Sequence, residues 1–345
     1  MQKNNIKKII FFGLGSAGQR HLRNLKKLEK NVVVYYYKQT KKNFVIDKNL
    51  KKNNTNVIKR FNLKLVNSLT QINSIRPDLA FICNPSPLHI KFAIFCAKIG
   101  SHLFIEKPIS NNLSKINNLT KIIKEKKLAV SVGYQFLYHP LIKKVKEIFD
   151  NQKYGKLLYG KVIMNEDVKK YRKYGKPSDL LITRKNQGGG ILLEQSHDLS
   201  SLLWIINEKP EVIFSKIYRH KNLKFEKGVE DSAYVILASR KRKYNCTFSL
   251  LFSSFDKKKE KRFLFFFQKA NLELDLIKNN LVIREKNRDK VYNLKILRNK
   301  LFVLQLKNFI NQSLKKKKLD RSSYYNSLLT LKTILKIKKS KLLTI

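Results

Sequence analysis

Cysteine is scarce in this sequence. Its three cysteines, Cys83, Cys96 and Cys246, form no Cys-x-x-Cys pair and have no neighbouring histidine at the spacing of metal ligands. Cys83 and Cys96 stand in apolar surroundings, as small buried thiols usually do. These features argue against structural disulfides and a zinc site. They predict a cytoplasmic protein without a metal centre.

Long apolar runs are also missing. No segment reaches the roughly 18 unbroken apolar residues of a membrane-spanning helix. The first residues, MQKNNIKKIIFFGLGSAGQ, have the basic start and apolar run of a signal peptide, but the apolar part is short and its glycines fit another motif. We therefore expect no membrane span.

Acidic residues are few. The chain has 74 Lys and Arg against 24 Asp and Glu, a net charge of +50. Lysine is spread through every segment together with Asn and Ile, which indicates a compositional bias rather than one basic patch. The densest runs, RKRK (240–243), DKKKEKR (256–262) and KKKK (315–318), are expected in solvated loops. No nucleic-acid-binding motif is present, so we expect no specific nucleic-acid partner, only weak polyanion binding at low salt.

The length of 345 residues and the hydrophobic content of 43% fit two globular domains. In the first third, short apolar runs alternate with helical segments. The predicted strands are 8–15, 31–37, 79–84, 102–107 and 129–134, and the predicted helices are 17–28, 90–100 and 114–127. This βαβ rhythm predicts a Rossmann domain over residues 1–130, with a doubly wound parallel sheet.

After Tyr134 the pattern changes. A predicted helix, 141–149, leads to a strand near 155–165, and from 211 to about 291 apolar strands follow one another. Two predicted helices, 301–314 and 324–338, follow the strands. Residues 131–345 are thus predicted to form an α+β domain with a large, mostly antiparallel sheet. Its apolar strand FLFFF (263–267) is expected to pack between sheet and helices or on a second subunit rather than to face the cofactor, and we expect a homo-oligomer.

A glycine motif, GLGSAG, stands between the first predicted strand and helix. Gly13, Gly15 and Gly18 have the G-x-G-x-x-G spacing, which permits a tight turn, close approach of a pyrophosphate and close packing of helix on strand. With Ser16 and Ala17, these residues are predicted to bind the phosphates of a dinucleotide at the helix N-terminus.

The acidic residue that commonly binds the ribose hydroxyls is absent. Nothing between Asn31 and Ile46 is Asp or Glu, and the second strand runs into Lys38, with Lys41 and Lys42 just beyond. A carboxylate there favours NAD, whereas a cation accommodates the 2′-phosphate of NADP. The cofactor is therefore predicted to be NAD(P), with a lean toward NADP.

The stretch GGGILLEQSHDLS (188–200) allows two interpretations, a hinge before an ordinary amphipathic helix or part of an active site. Glu194, His197, Asp198 and Ser201 share one helical stripe, and leucines and an isoleucine form the opposite one. We expect the apolar stripe to pack on the sheet and the polar stripe to remain open. The glycines would let the backbone pass close to a ligand.

Three blocks together resemble one family. FICNPSPLHIKFAIFCAKIGSHLFIEKPIS (81–110), GLGSAGQRH and GGGILLEQSHDLS are similar, in the same order, to blocks of the Gfo/Idh/MocA oxidoreductases. GVEDSA (228–233) and LFVLQLKNFINQSL (301–314) resemble landmarks of the family's second domain. The resemblance covers nearly the whole chain and is closest to members encoded with surface-polysaccharide and nucleotide-sugar genes.

The resemblance implies hydride transfer between nicotinamide and a carbinol carbon of a sugar, nucleotide-sugar or cyclitol. Lys107 and His197 match the family's catalytic lysine and histidine, and the Lys107–Pro108 bond is expected to be cis. The remaining site residues that we predict are Asn84, Pro85, His89 and Glu106 for the cofactor, and Tyr134, Glu194 and Asp198 for the substrate.

Oxidation of a carbinol requires removal of its hydroxyl proton, which a histidine of near-neutral pKa can accept. A lysine ammonium stabilises the developing alkoxide.

The sequence departs from the family at two positions. Ser200 replaces an acidic residue, and Leu137 stands where many relatives have arginine. These departures leave open a cofactor-binding sensor or scaffold without turnover. The charge of +50 leaves open a polyanion-binding protein on the same fold.

Overall fold

The structure is a computed structural model that describes residues 6–38, 43–47, 49–170, 180–240, 245–315 and 321–345. The chain divides into two compact units. The first unit comprises Met1–Tyr134 and Phe302–Ser327, and the second comprises Gln135–Leu301 and Leu328–Ile345.

The first unit is built on alternating strands and helices. Its strands are β1 (Lys8–Phe12), β2 (Val33–Tyr37), β3 (Val45–Ile46), β4 (Lys52–Asn53), β5 (Lys64–Val66), β6 (Leu79–Ile82), β7 (His102–Ile105) and β8 (Val130–Val132). Its helices before Tyr134 are α1 (Ser16–Leu28), α2 (Val57–Phe61), α3 (Leu69–Ile75), α4 (His89–Lys98) and α5 (Ile116–Glu125). Strands β3 and β4 form a separate short antiparallel pair.

The main sheet of this unit has six parallel strands in the order β5-β2-β1-β6-β7-β8. Residues 9–12 of β1 are fully buried, as expected for a parallel strand covered on both faces. The register pairs Phe12 with both Tyr37 and Ile82, and Ile82 with Ile105. The loops that follow β1, β2, β6 and β7 therefore meet at one edge of the sheet. The predicted Rossmann fold is confirmed.

The second unit contains the helices α6 (Pro140–Asp150), α7 (Ile191–Glu194) and α8 (Ser196–Ile206). Its strands are β9 (Leu157–Asn165), β10 (Glu211–Arg219), β11 (Ser232–Ser239), β12 (Cys246–Ser253), β13 (Glu260–Phe267), β14 (Ala270–Asp275), β15 (Asn280–Glu285), β16 (Asp289–Asn293) and β17 (Leu342–Thr344). Two helices, α9 (Arg298–Leu314) and α10 (Arg321–Ile337), each begin in one unit and end in the other.

These strands form one nine-stranded sheet in the order β16-β15-β14-β13-β9-β12-β11-β10-β17. Only the pairs β9–β12 and β10–β17 are parallel, so the mostly antiparallel sheet that the sequence predicts is confirmed. In β13, Phe263, Phe265 and Phe267 are buried, whereas Leu264 and Phe266 are half-buried on the other face.

The units differ from the predicted division at residue 130. Part of α9 belongs to the first unit because Leu306, Phe309 and Ile310 join the apolar core around β1 and β6. Strand β8 lies at the edge of the sheet, and side chains of α9 and α10 form hydrogen bonds with its backbone. The Gln305 side chain donates to the Val132 carbonyl at 2.6 Å, and the Val132 N–H donates to Ser323 Oγ at 3.1 Å.

One basic run differs from the expected solvated loop. DKKKEKR runs into β13, and Lys261 is only 7% exposed. The other two basic runs lie mostly outside the described residues. In the described part of the chain, no helix is both long and apolar enough to cross a membrane.

Candidate functional site

Gly13 and Gly18 make the turn after β1 compact. Gly13 has φ +91°, and a Cβ there would lie 2.7 Å from the Asn84 backbone nitrogen. A Cβ at Gly18 would lie 2.3 Å from the Gly13 carbonyl oxygen. Both glycines are therefore needed for close packing of this turn within the first unit.

Gly15 has different surroundings. It is exposed, and a Cβ there would meet no described atom within 4 Å. It is the N-cap of α1 and supplies no side-chain hydrogen bond, so the N–H groups of Ser16 and Ala17 begin the helix without a side-chain cap. An open helix N-terminus next to a glycine suits a phosphate, so these residues fit a dinucleotide cofactor.

Lys38 follows β2 directly and is exposed. Because Tyr37 pairs with Phe12, Lys38 lies at the same sheet edge as the glycine turn. Lys41 and Lys42 lie outside the described residues.

His89 connects two loops at this edge. It is 1% exposed, its Nε2 lies 2.7 Å from the Asn84 carbonyl and its Nδ1 lies 2.9 Å from the Pro108 carbonyl. Burial lowers the His89 pKa, and the hydrogen bonds to both carbonyls and the Glu106 charge only partly oppose it. A neutral imidazole has one N–H, so one of the two carbonyls accepts it at a time. His89 thereby joins the loop after β6, which contains Pro85, to the loop after β7.

Glu106 and Lys107 follow β7, and the Lys107–Pro108 bond is cis, as expected. One Glu106 carboxylate oxygen lies 2.5 Å from His21 Nε2, and the other accepts the Lys107 backbone N–H at 3.1 Å. Burial alone would raise the Glu106 pKa. The His21 hydrogen bond and the charges of His21 and Lys107 outweigh burial and hold that pKa below its usual value. The Lys107 side chain is half-buried.

The sequence interpretation missed His21. It is fully buried on α1 with Gly18, Leu22 and Leu25, and its ring lies 4.5 Å from that of Phe104. The spacing of Gly18, His21, Leu22 and Leu25 places His21 on the buried face of α1, so its burial could have been predicted from the sequence. A polar residue on such a face requires a partner.

In the second unit, the predicted single helix after the glycines is two helices. Helix α7 ends at Glu194, and α8 begins at Ser196 after the junction residue Gln195. We expected the polar stripe to be open, but two of its residues, Asp198 and Ser201, are fully buried. Glu194 and His197 are half-buried.

Asp198 has a buried partner. Its Oδ2 lies 2.6 Å from the Lys261 ammonium, which also donates to Gln195 Oε1 at 2.6 Å. Burial raises the Asp198 pKa, and the Lys261 charge only partly opposes this. The Phe136 ring lies 5.2 Å from the His197 ring and 5.8 Å from the Lys261 ammonium. Neither Lys261 nor Phe136 was predicted from the sequence.

The glycines before α7 pack closely against other residues of their own unit. A Cβ at Gly189 would lie 2.6 Å from the carbonyl oxygens of Arg184 and Ile182. Gly190 has φ +115°, and its Cβ would lie 2.2 Å from a Glu230 carboxylate oxygen. Glu230 is 1% exposed, and both its carboxylate oxygens accept from Lys338. Burial raises the Glu230 pKa, and the Lys338 charge only partly opposes this.

Three further residues of the sequence interpretation are buried. Tyr134 is 1% exposed, and the two departures from the family pattern, Leu137 and Ser200, lie in the apolar interior. Among the residues with described positions, no group of three or more His, Cys, Asp or Glu could hold a metal ion.

Comparison with known proteins identifies the family. Residues 7–134 match the GFO_IDH_MocA model, described as an oxidoreductase family with an NAD-binding Rossmann fold, and residues 142–273 match the family's C-terminal domain. Myo-inositol 2-dehydrogenase of Thermotoga maritima is 25% identical over 204 residues, 59% of this chain and 56% of that protein. An uncharacterized oxidoreductase of Bacillus subtilis is 25% identical over 162 residues, 46% of this chain and 45% of that protein. The chain thus spans about half the length of these curated relatives.

Two solved structures share the fold. A 3-ketoreductase from Actinomadura kijaniata in complex with NADP and TDP-benzene has a TM-score of 0.78 at 15% identity, over 99% of this chain and 100% of that one. UDP-N-acetylglucosamine 3-dehydrogenase from Acidithiobacillus ferrooxidans has a TM-score of 0.74 at 15% identity, over 97% of both chains. The family models, which together match more than half of the sequence, confirm the predicted resemblance: the chain belongs to the Gfo/Idh/MocA oxidoreductase family.

Proposed function

We propose that this protein is an NAD(P)-dependent oxidoreductase that transfers hydride between nicotinamide and a carbinol or carbonyl carbon of a sugar, nucleotide-sugar or cyclitol. The observation that carries the proposal is the joining of three loops at one sheet edge. Gly13 packs on Asn84, and His89 links Asn84 to Pro108, next to Lys107. The lysine of the EKP motif is thereby held at the same edge as the glycine turn.

The names of the relatives support the substrate class. One curated relative is an inositol dehydrogenase, and two proteins of the same fold are a UDP-N-acetylglucosamine dehydrogenase and a ketoreductase. Cyclitols and nucleotide-sugars both offer secondary hydroxyl groups, so both classes belong in a substrate screen.

The first unit supplies the residues that would hold the cofactor. Bound NAD(P) would accept or donate the hydride, and the protein would bind and orient it. The N–H groups of Ser16 and Ala17, next to Gly15, would bind the pyrophosphate. Asn84, Pro85, His89 and Glu106 would form the surroundings of the nicotinamide half.

Lys107 and His197 are the proposed catalytic residues. His197 would remove the proton of the carbinol hydroxyl group during oxidation and return it during reduction. The Lys107 ammonium would stabilise negative charge that develops on a substrate oxygen. We propose Glu194 and Tyr134 as substrate contacts. Asp198, predicted as a third, instead has Lys261 as its partner in the structure.

Binding of the cofactor is the direct test. Purified protein titrated with NADH and with NADPH should change nicotinamide fluorescence for at least one of them. Failure to bind either would contradict the proposal.

Lys38 bears on the choice between the two cofactors. We propose a preference for NADP, because an exposed lysine follows β2 and the acidic residue is absent. Lys38→Asp should shift the ratio of dissociation constants toward NADH. Lys27→Asp, an equal charge change at the exposed far end of α1, is the control and should leave the ratio unchanged.

A cofactor-binding sensor is the second candidate, favoured by the departures at Leu137 and Ser200. Both side chains are buried, so they alter packing more than an exposed surface. A sensor would bind NAD(P)H yet give no turnover with any member of a sugar and cyclitol panel. A polyanion-binding role, suggested by the charge of +50, would require DNA binding that survives physiological salt.

We also propose a cytoplasmic homo-oligomer. The open face of the nine-stranded sheet carries Phe214, Tyr234 and Leu251, all more than a third exposed, and Tyr234 pairs with Leu251 in register. A second copy would cover this face. Light scattering should give a mass above one chain, and Tyr234→Glu should lower it. A parent protein of one-chain mass would contradict the oligomer.

A further inference from the structure

Lys261 is unusual among the lysines of its basic run. Lys257, Lys258 and Lys259 have side chains 84%, 79% and 44% exposed, whereas that of Lys261 is 9% exposed. A lysine is rarely buried unless it is paired. Its position on β13 therefore needs an explanation that a solvated charge run does not give.

Two residues that flank His197 bind this one ammonium. Gln195, two positions before His197, accepts from Lys261 at 2.6 Å, and Asp198, one position after it, accepts at 2.6 Å. Gln195 is also the junction between α7 and α8, and its carbonyl accepts the Asp198 backbone N–H at 3.2 Å. The first turn of α8 is thus held on both sides of His197.

Phe136 provides a third contact. Its ring lies beneath the Lys261 ammonium at 5.8 Å and beside the His197 ring at 5.2 Å. A cation at this distance is attracted to the face of an aromatic ring. Lys261 therefore holds the residues before and after His197 and the ring that packs against it.

We propose that Lys261 is a positioning residue that fixes the orientation of His197 through Gln195, Asp198 and Phe136. This inference rests on the proposed role of His197, which it extends by naming what holds the imidazole in place. Lys261 does not act on the substrate.

The charge of Lys261 is essential to this arrangement. Asp198 is completely buried, with 0% of its surface accessible to solvent. Removal of the partner of a buried carboxylate leaves an uncompensated charge in the interior, which strongly destabilises the folded protein. Without the ammonium, the Asp198 side chain must move toward water or take up a proton, and either change releases the first turn of α8.

Histidine NMR spectra test the proposal without a substrate. The sequence has six histidines, and the His197 resonances are identified by their absence in His197→Ala. In Lys261→Met these resonances should shift and split, because the ring takes several orientations. His220, in the same unit and paired with Asp231, should keep its resonances and so report an intact fold. Lys258→Met, in the same basic run, is the matched control and should change neither set.

A second variant covers a failure of Lys261→Met to fold. Lys261→Met combined with Asp198→Asn leaves no unpaired buried charge, so it should fold. Its His197 resonances should still be shifted and split. Parent-like His197 resonances in a folded Lys261 variant would overturn the proposal.

Kinetics separate this inference from the proposed function. With the carbinol that the parent oxidises, Lys261→Met should lower kcat by about 100-fold, the typical effect of a small misplacement, with the NAD(P)H dissociation constant unchanged. In the His197→Ala background the same substitution should have almost no further effect, because Lys261 acts through His197. An equal loss in both backgrounds would overturn the positioning role. A parent-like rate for His197→Ala would instead overturn the proposed catalytic role of His197.

Discussion

At the scale of single residues, the glycines after β1 have different neighbours. This difference indicates which glycine is needed for folding and which is available for binding. A Cβ at Gly18 would collide with a backbone oxygen, whereas one at Gly15 would point into open space. The G-x-G-x-x-G motif already gives them different roles, close approach of a pyrophosphate for Gly15 and close packing of helix on strand for Gly18. The structure shows that Gly18 is required for packing, and Gly15 is the glycine that we propose for close approach of the cofactor.

We predict opposite effects for two alanine variants. Gly18→Ala should lower the free energy of unfolding by about 1–3 kcal/mol, because the turn must shift. Gly15→Ala, at φ −70°, should unfold like the parent but bind NAD(P)H at least about 10-fold more weakly, since its methyl group occupies phosphate space. Denaturant titration and fluorescence titration measure the two effects. Equal binding by Gly15→Ala and the parent would contradict this assignment.

Glu106 predicts a pH dependence of stability. Its folded pKa lies below the ordinary value of 4.5, so its contribution is present above pH 4.5 and is lost as pH falls through the folded pKa. Glu106→Gln should therefore show a shallower loss of stability in acid, by up to about 1.4 kcal/mol per pH unit. Melting curves between neutral and acidic pH measure this slope.

Glu125→Gln is the control for this measurement, because Glu125 is exposed and forms only a surface ion pair with Lys121. Its acid slope should equal that of the parent. A parent-like slope for Glu106→Gln would show that the His21 pair does not hold the carboxylate ionised.

Candidate site residues could be named from the sequence where a local motif marks them. Lys107, Glu106 and His89 stand in one contiguous block, so the family resemblance locates them. His21 and Lys261 were missed because their partners lie 85 and 63 residues away, and periodicity contains no information about such pairs. His21 could at least have been recognised as buried, whereas Lys261 was concealed by the charged residues around it.

At the scale of elements, the junction between α7 and α8 is the main departure from the sequence pattern. The stripe of Glu194, His197 and Asp198 fits one continuous helix, yet the helix is interrupted at Gln195. Gln195 has φ −86° and ψ 18°, and its side-chain oxygen accepts a hydrogen bond from Lys261. A tertiary contact therefore overrides the helical period, which no single-helix pattern could predict.

We predict that Gly190 is required by the carboxylate that it contacts. Gly190→Ala should destabilise the protein by about 1–3 kcal/mol more than Gly228→Ala, as expected for overpacking. Both glycines have positive φ, but the nearest atom to a Cβ at Gly228 is 3.6 Å away. Urea unfolding of the two variants isolates the crowding against Glu230. Equal losses would indicate that only the backbone conformation matters.

At the scale of the whole molecule, the parallel sheet followed by a mostly antiparallel sheet was predictable, since buried parallel strands and consecutive antiparallel strands differ in pattern. The return of α9 to the first unit was not predicted. Leu306 and Phe309 mark an apolar face, but such a face does not indicate which core it will join. The charge of +50 likewise gives no information about the fold, and most lysines lie on the surface.

The most direct measurement of the central claim is turnover by the parent, Lys107→Ala and His197→Ala, followed by nicotinamide absorbance. The substrate panel should include myo-inositol and UDP-N-acetylglucosamine, with NAD and NADP each supplied. We predict that the parent oxidises a member of the panel and that each variant binds cofactor but loses at least about 100-fold in kcat. Parent-like rates in both variants would contradict the account.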